Sequence, residues 1–182
     1  IQRYELDPKK KEFISTYFLR TNKLGGNISE SLRAFSSDKL NPISYQYTSL
    51  QGTQAKTIDA NVRKNDRGKI ILQTKINDNG KFRVSEKRLE KGTFFSTFLI
   101  YLLLQGEKGI TPEVKYNFKA VAEEDSKVYP GEVYIESEVK KLGLSTYKIL
   151  YTFKLMQGMT RCRTPGESLI SISPALSISA EI

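Results

Sequence analysis

The chain has no histidine, no tryptophan and a single cysteine, and these gaps remove several chemistries at once. Without histidine there is no Ser-His-Asp or Cys-His nucleophile arrangement and none of the usual zinc ligand sets. One cysteine permits neither an intrachain disulfide nor a thiolate metal cluster. Cys162 stands between Arg161 and Arg163, neighbours of the kind that activate a thiol, but its expected setting is an ordinary strand. Long hydrophobic runs are also missing. The longest, Phe94–Leu104 (FFSTFLIYLLL), would extend about 16 Å as a helix against the roughly 30 Å core of a membrane. It is therefore expected to be buried in a protein core or against something apolar that the protein carries.

What is present points to β-structure. The 182 residues suffice for one domain with a full core. Ten Tyr and nine Phe accompany short runs of Val, Ile and Thr, which is strand-favouring usage. With 29 Lys and Arg against 20 Asp and Glu the net charge is +9. That balance suits an anionic membrane surface, a cell-wall polymer, nucleic acid or simple solubility. The first residue is Ile1 rather than Met, which fits removal of a signal or lipid-attachment segment.

Along the chain, residues 1–12 are charged, with Lys9, Lys10 and Lys11 together, and read as an N-terminal arm. Residues 13–182 read as a single β-rich domain. Ile28, Leu32 and Phe35 are spaced by four and three, and Asn27 with Glu30 suits a capping box, so a short surface helix is expected there. Ile58, Ala60 and Val62, then Ile70, Leu72, Thr74 and Ile76, then Phe82 and Val84 alternate with polar residues. Turns at Asn65–Gly68 and Asn77–Gly80 separate these runs, which are hairpin signals. Val114, Tyr116, Phe118 and Ala120 share one face, as do Val133, Ile135 and Val139, and Tyr147, Ile149, Tyr151, Phe153 and Leu155. The tail alternates from Ile170 to Ile182 after a turn at Thr164–Glu167.

Eight to ten strands joined by short turns should pair antiparallel. Each has one apolar face, so the sheet must curl, close or stack. The expected fold is mainly β. A curled antiparallel sheet forms an open or incomplete barrel, with one short apolar helix, about 93–105, packed in the concavity. The competing arrangement is a β-sandwich with Phe94–Leu104 as a buried strand.

Apparent motifs dissolve on inspection. Asn77-Asp78-Asn79-Gly80 resembles part of a calcium loop, but the first ligand position holds Lys75, so no metal site is expected. Ser145 and Lys148 have Ser-x-x-Lys spacing, yet residues three apart on a strand face opposite ways. Glu123-Glu124-Asp125 reads as a solvated turn between strands. Tyr116, Phe118, Tyr147, Tyr151 and Phe153 share faces with aliphatics, while Lys115, Lys119, Lys148 and Lys154 lie opposite. A nucleic-acid stacking platform needs rings and charges on one face. No catalytic residue and no cofactor is expected.

The segments YKILYTFK, TPGES and LISISPALSISAEI at the C-terminal end, with TFFSTFLIYLLLQGEKGITPEVKYNF before them, resemble uncharacterised bacterial envelope proteins of half-barrel type, over residues 93–182. These are similar in shape to periplasmic lipoprotein carriers, whose half-barrel holds acyl chains under a helix. The resemblance implies a non-enzymatic protein of the periplasm or outer envelope. Independently of the resemblance, a one-sided apolar sheet with an all-apolar helix is expected either to bind a lipid or other hydrophobic ligand, lined by Phe94, Phe98, Tyr101, Leu102, Tyr116, Phe118, Tyr151 and Phe153, or to fill a dry core with those same residues. The alternative is an envelope scaffold or interaction protein using its basic outer face and strand edges.

Overall fold

The computed structural model describes residues 2–21, 27–104, 111–141, 144–153, 166–172 and 178–181, with side chains for those up to 103 and for 111–136. Among the described residues the protein is mainly β and antiparallel, with one short helical segment. Residue contacts divide it into two units, Ile1–Leu99 with Val121–Val128, and Ile100–Ala120 with Tyr129–Ile182.

The first unit is built on a sheet in strict sequence order: β1 (Gln2–Asp7), β2 (Glu12–Thr21), β3 (Ile28–Ser37), β4 (Pro42–Gln51), β5 (Gln54–Lys64), β6 (Ile70–Asp78) and β7 (Lys81–Leu89). Neither β1 nor β7 pairs with the other, so the sheet is open and no barrel closes. The turns explain the order. Asn79 and Gly80 both take positive φ, 51° and 81°, between paired Asp78 and Lys81. That is the two-residue Asn-Gly hairpin turn whose twist matches the flanking strands. Asn79 also ties the turn to β5, accepting from the Ala55 amide at 2.7 Å.

Three expectations are corrected. The charged head is a strand, β1, because Gln2, Tyr4 and Leu6 alternate with Arg3, Glu5 and Asp7 and pair residue for residue with β2. The lysine run is the hairpin loop, where the Asp7 carboxylate accepts from the Lys9 and Lys10 amides at 2.9 and 3.1 Å. The surface helix expected near Ile28–Phe35 is β3. Leu32, Ala34 and Ser36 are buried at a period of two, and pairing on both edges satisfies its backbone groups. Finally, Phe82 and Val84 do not continue the apolar face. Arg83 and Ser85 face inward opposite Ile76 and Thr74, leaving Phe82 80% and Val84 66% exposed. Inward charge on an edge strand deters further sheet pairing.

The register sorts the inner face into rows. One runs Tyr4–Ser15–Ala34–Tyr45–Ala60–Thr74–Ser85 and the next Gln2–Tyr17–Leu32–Tyr47–Ile58–Ile76–Arg83. The first is small side chains apart from Tyr45 at its centre and Tyr4 at its edge. Small side chains let another segment approach the sheet closely. That segment is Thr93–Leu99, comprising β8 (Phe94–Phe95), a 3-10 turn (Ser96–Phe98) and the start of α1 (Leu99–Leu104). Phe94, Phe95 and Phe98 are buried, and Phe95 meets Tyr45 edge-on with ring centres 5.1 Å apart.

The remaining strands are β9 (Lys115–Ala122), β10 (Lys127–Lys141), β11 (Leu144–Phe153), β12 (Gly166–Ile172) and β13 (Ile178–Glu181). They form a second antiparallel sheet in the order β13-β12-β11-β10-β9-β8. In the second unit Phe118, Ala120, Val133 and Ile135 are buried while Lys115, Asn117 and Lys119 are exposed, as their alternation predicts. The end of the expected helix at 105 and the expected setting of Cys162 lie outside the described residues.

Candidate functional site

The turn between β9 and β10 is where the sequence misleads most. Glu123 is not solvated: its side chain is 3% exposed, folded onto the amino end of the helical segment. That end has no cap of its own, since Phe95 at the N-cap position offers no side-chain bond. Glu123 supplies the cap from a distance in sequence. Ser96 Oγ donates to its Oε2 at 2.5 Å and the Thr97 amide to its Oε1 at 3.1 Å. A carboxylate satisfies orphan donors there and suits the helix dipole. Burial nevertheless dominates and pushes the Glu123 carboxyl up to about 7, with the Ser96 and Thr97 bonds opposing.

Thr97 passes this anchorage to the sheet edge. Its Oγ1 bonds Ser15 Oγ at 2.7 Å and accepts from Gln2 Nε2 at 3.0 Å, while its carbonyl accepts from the Tyr4 hydroxyl at 3.0 Å. On the other side of the turn, the Tyr45 hydroxyl donates to Ser126 Oγ at 2.8 Å, and Lys56 Nζ to the Glu124 carbonyl at 2.6 Å. The turn and the helix start are thus pinned over the row that carries Tyr45.

The neighbouring row is left open. Between it and the pinned segments lies a cleft of about 420 Å³. Its floor is Gln2, Tyr17, Leu32 and Tyr47, in register from β1 to β4, with Glu30 beside them; Ser96, Thr97, Glu123 and Glu124 form the wall. The size lies at the lower end of the range for small-molecule sites, roughly 300–1,000 Å³.

The electrostatics of the cleft run against the chain's net +9. Three carboxyl groups line it and no Lys or Arg does. Desolvation raises the Tyr17 hydroxyl and the Glu30 charge adds to it. The same two causes, with the Glu124 charge behind them, push Tyr47 up to about 12. Glu124 is raised by desolvation and by Asp125 and Glu30, with Lys56 opposing. Each of these groups resists acquiring more negative charge.

The residues singled out from sequence do not line this cleft. Phe94 and Phe98 are 2% and 0% exposed and belong to the core of the first unit. Tyr101, Leu102, Tyr116 and Phe118 belong to the second unit, where Phe118 is buried and the other three are half-buried. Tyr151 and Phe153 are on β11, and their side chains lie outside those described. Of the lining residues, Glu30 carried the missed signal. It stands in phase with Leu32, Ala34 and Ser36, an acid on the inward face of β3, and reading the segment as a helix hid it.

No catalytic constellation appears among the described residues, and none of their acidic or thiol groups cluster as metal ligands do. No protein-family model, curated protein or solved structure matches the chain.

Proposed function

We propose that this is a non-enzymatic binding protein that holds a small polar molecule in the Tyr17–Tyr47 cleft of the seven-stranded sheet. The observation that carries the reading is the open volume of about 420 Å³ beside a rigidly pinned wall. Preformed concavities with a few convergent polar groups are where small ligands bind. The envelope location follows from the resemblance of residues 93–182. Concave-sheet binding is retained from that resemblance, but the ligand changes from an acyl chain to a polar molecule. Phe94 and Phe98 are packed into the core, and the open surface carries carboxyl, hydroxyl and amide groups. Titration of the isotope-labelled protein with a small-molecule fragment set, followed by amide resonances, tests this. Hits should cluster on Tyr17, Leu32 and Tyr47; hits that gather instead around Tyr101 and Phe118 would return the site to the apolar residues.

A second reading rests on β7. This edge strand carries Lys81, Arg83, Lys87 and Arg88, all exposed, and its one acid, Glu86, is already paired with Arg63 at 2.8 Å. Such a strand suits an anionic surface such as lipid head groups. Flotation with anionic vesicles should weaken steeply between low and high salt and fall further in Arg83→Gln/Lys87→Gln. Salt-independent flotation would remove the basic strand from consideration.

A further inference from the structure

We infer that the Tyr17–Tyr47 cleft selects a small organic cation, a primary ammonium joined to a compact apolar or aromatic body. This deepens the binding reading above and rests on it. Glu30 and Glu124 supply the negative charge, and the rings of Tyr17 and Tyr47 with Leu32 supply the apolar contact.

Three observations meet here. The lining is acidic within a basic chain, so its charge is local and no lining cation neutralises it. Lys56, outside the lining, donates to the Glu124 carbonyl at 2.6 Å and offsets part of the Glu124 charge, which leaves Glu30 as the acid with no base bonded at its residue. The volume is also far larger than a bare ion needs, and the described acidic groups are not gathered as metal ligands are. Two tyrosine rings flank Leu32 in the same register row, so the floor is an aromatic and aliphatic strip, with Glu30 beside it and Glu124 in the wall. An ammonium gains from carboxylates and from the faces of aromatic rings alike, and a hydrocarbon body gains from the strip. An anionic ligand would add charge to groups that already resist it. Glu123 is committed to Ser96 and Thr97, so it shapes the wall and leaves recognition to Glu30 and Glu124.

The test uses three probes of one size, phenethylamine, phenethyl alcohol and 3-phenylpropionate, titrated against the full chain with amide resonances as the readout. The amine is expected to shift Tyr17, Glu30 and Tyr47 and to bind about tenfold more tightly than the alcohol, with the acid weaker still. Glu30→Gln/Glu124→Gln should remove that preference, so that amine and alcohol then bind the variant equally. If alcohol and amine bind equally at these residues, or the acid binds best, the cation inference is overturned and the cleft stands as a binding site. If none of the probes moves these resonances at about 10 mM, both readings fall.

Discussion

Glu123 shows how one side chain makes the first unit sensitive to pH. Its carboxyl titrates near 7 when folded, against an ordinary 4.5, chiefly because it is desolvated. Between these values the folded protein holds a proton that the unfolded chain releases. Its contribution to stability is therefore fully present below about 4.5 and is lost as pH rises through the window up to about 7. The full shift corresponds to about 3 kcal/mol. Urea unfolding at pH 5 and pH 8 should show the intact protein losing stability between them. Glu123→Gln keeps an acceptor for the Thr97 amide and a partner for Ser96 but cannot ionise, so it should lose clearly less. Glu124, raised in the same direction, leaves a residual slope. An identical pH dependence in the variant would assign the effect to other groups.

Among the elements, legibility followed the strength of the alternation. β5, β6 and β9 place apolar and polar residues on opposite faces along most of their length, with Ile71 and Val121 as the breaks, and Asn-Gly or Asn-x-x-Gly turns separate the hairpins, so their faces are readable from the sequence. β3 was misread because Ile28, Leu32 and Phe35 fall by chance at helical spacing. Its inward residues, Leu32, Ala34 and Ser36, diminish in size and polarity contrast along the strand. Those small residues are needed where Thr93–Leu99 comes close to the sheet, a requirement that depends on register and so is invisible in any single strand. β7 failed for another reason. Phe82 and Val84 alternate correctly but with inverted phase, because the last strand has no neighbour to share its inner face and takes Arg83 and Lys87 there instead. The cleft inherited the β3 error, since its floor spans β1 to β4, whose common row exists only once the pairing is known.

At the scale of the molecule, the first unit is discontinuous in sequence. Residues Val121–Val128 return to it after an excursion of twenty-one residues, 100–120, through the second unit. The return brings the Glu123 cap, the Ser126 partner of Tyr45, the Glu124 carbonyl for Lys56, and the buried Val121 and Ala122. A fragment ending at Leu99 keeps all seven strands of the sheet but strips these contacts. It leaves the Tyr45 hydroxyl and the Ser96 and Thr97 donors without their partners. Losing a hydrogen bond to a charged group and orphaning a buried hydroxyl each cost about 1–3 kcal/mol. The fragment should therefore retain a β spectrum in circular dichroism yet unfold at markedly lower urea than the full chain. A synthetic peptide covering residues 115–128 should raise its midpoint in a concentration-dependent way. The same peptide with Glu123→Ala should do so far less, because the helix start would lie uncapped on the sheet. If the fragment alone matches the full chain, the sheet stands without its returning segment and the cleft wall is an accessory. If the peptide restores stability, the wall is part of the folding unit, and the cleft is as rigid as the sheet beneath it.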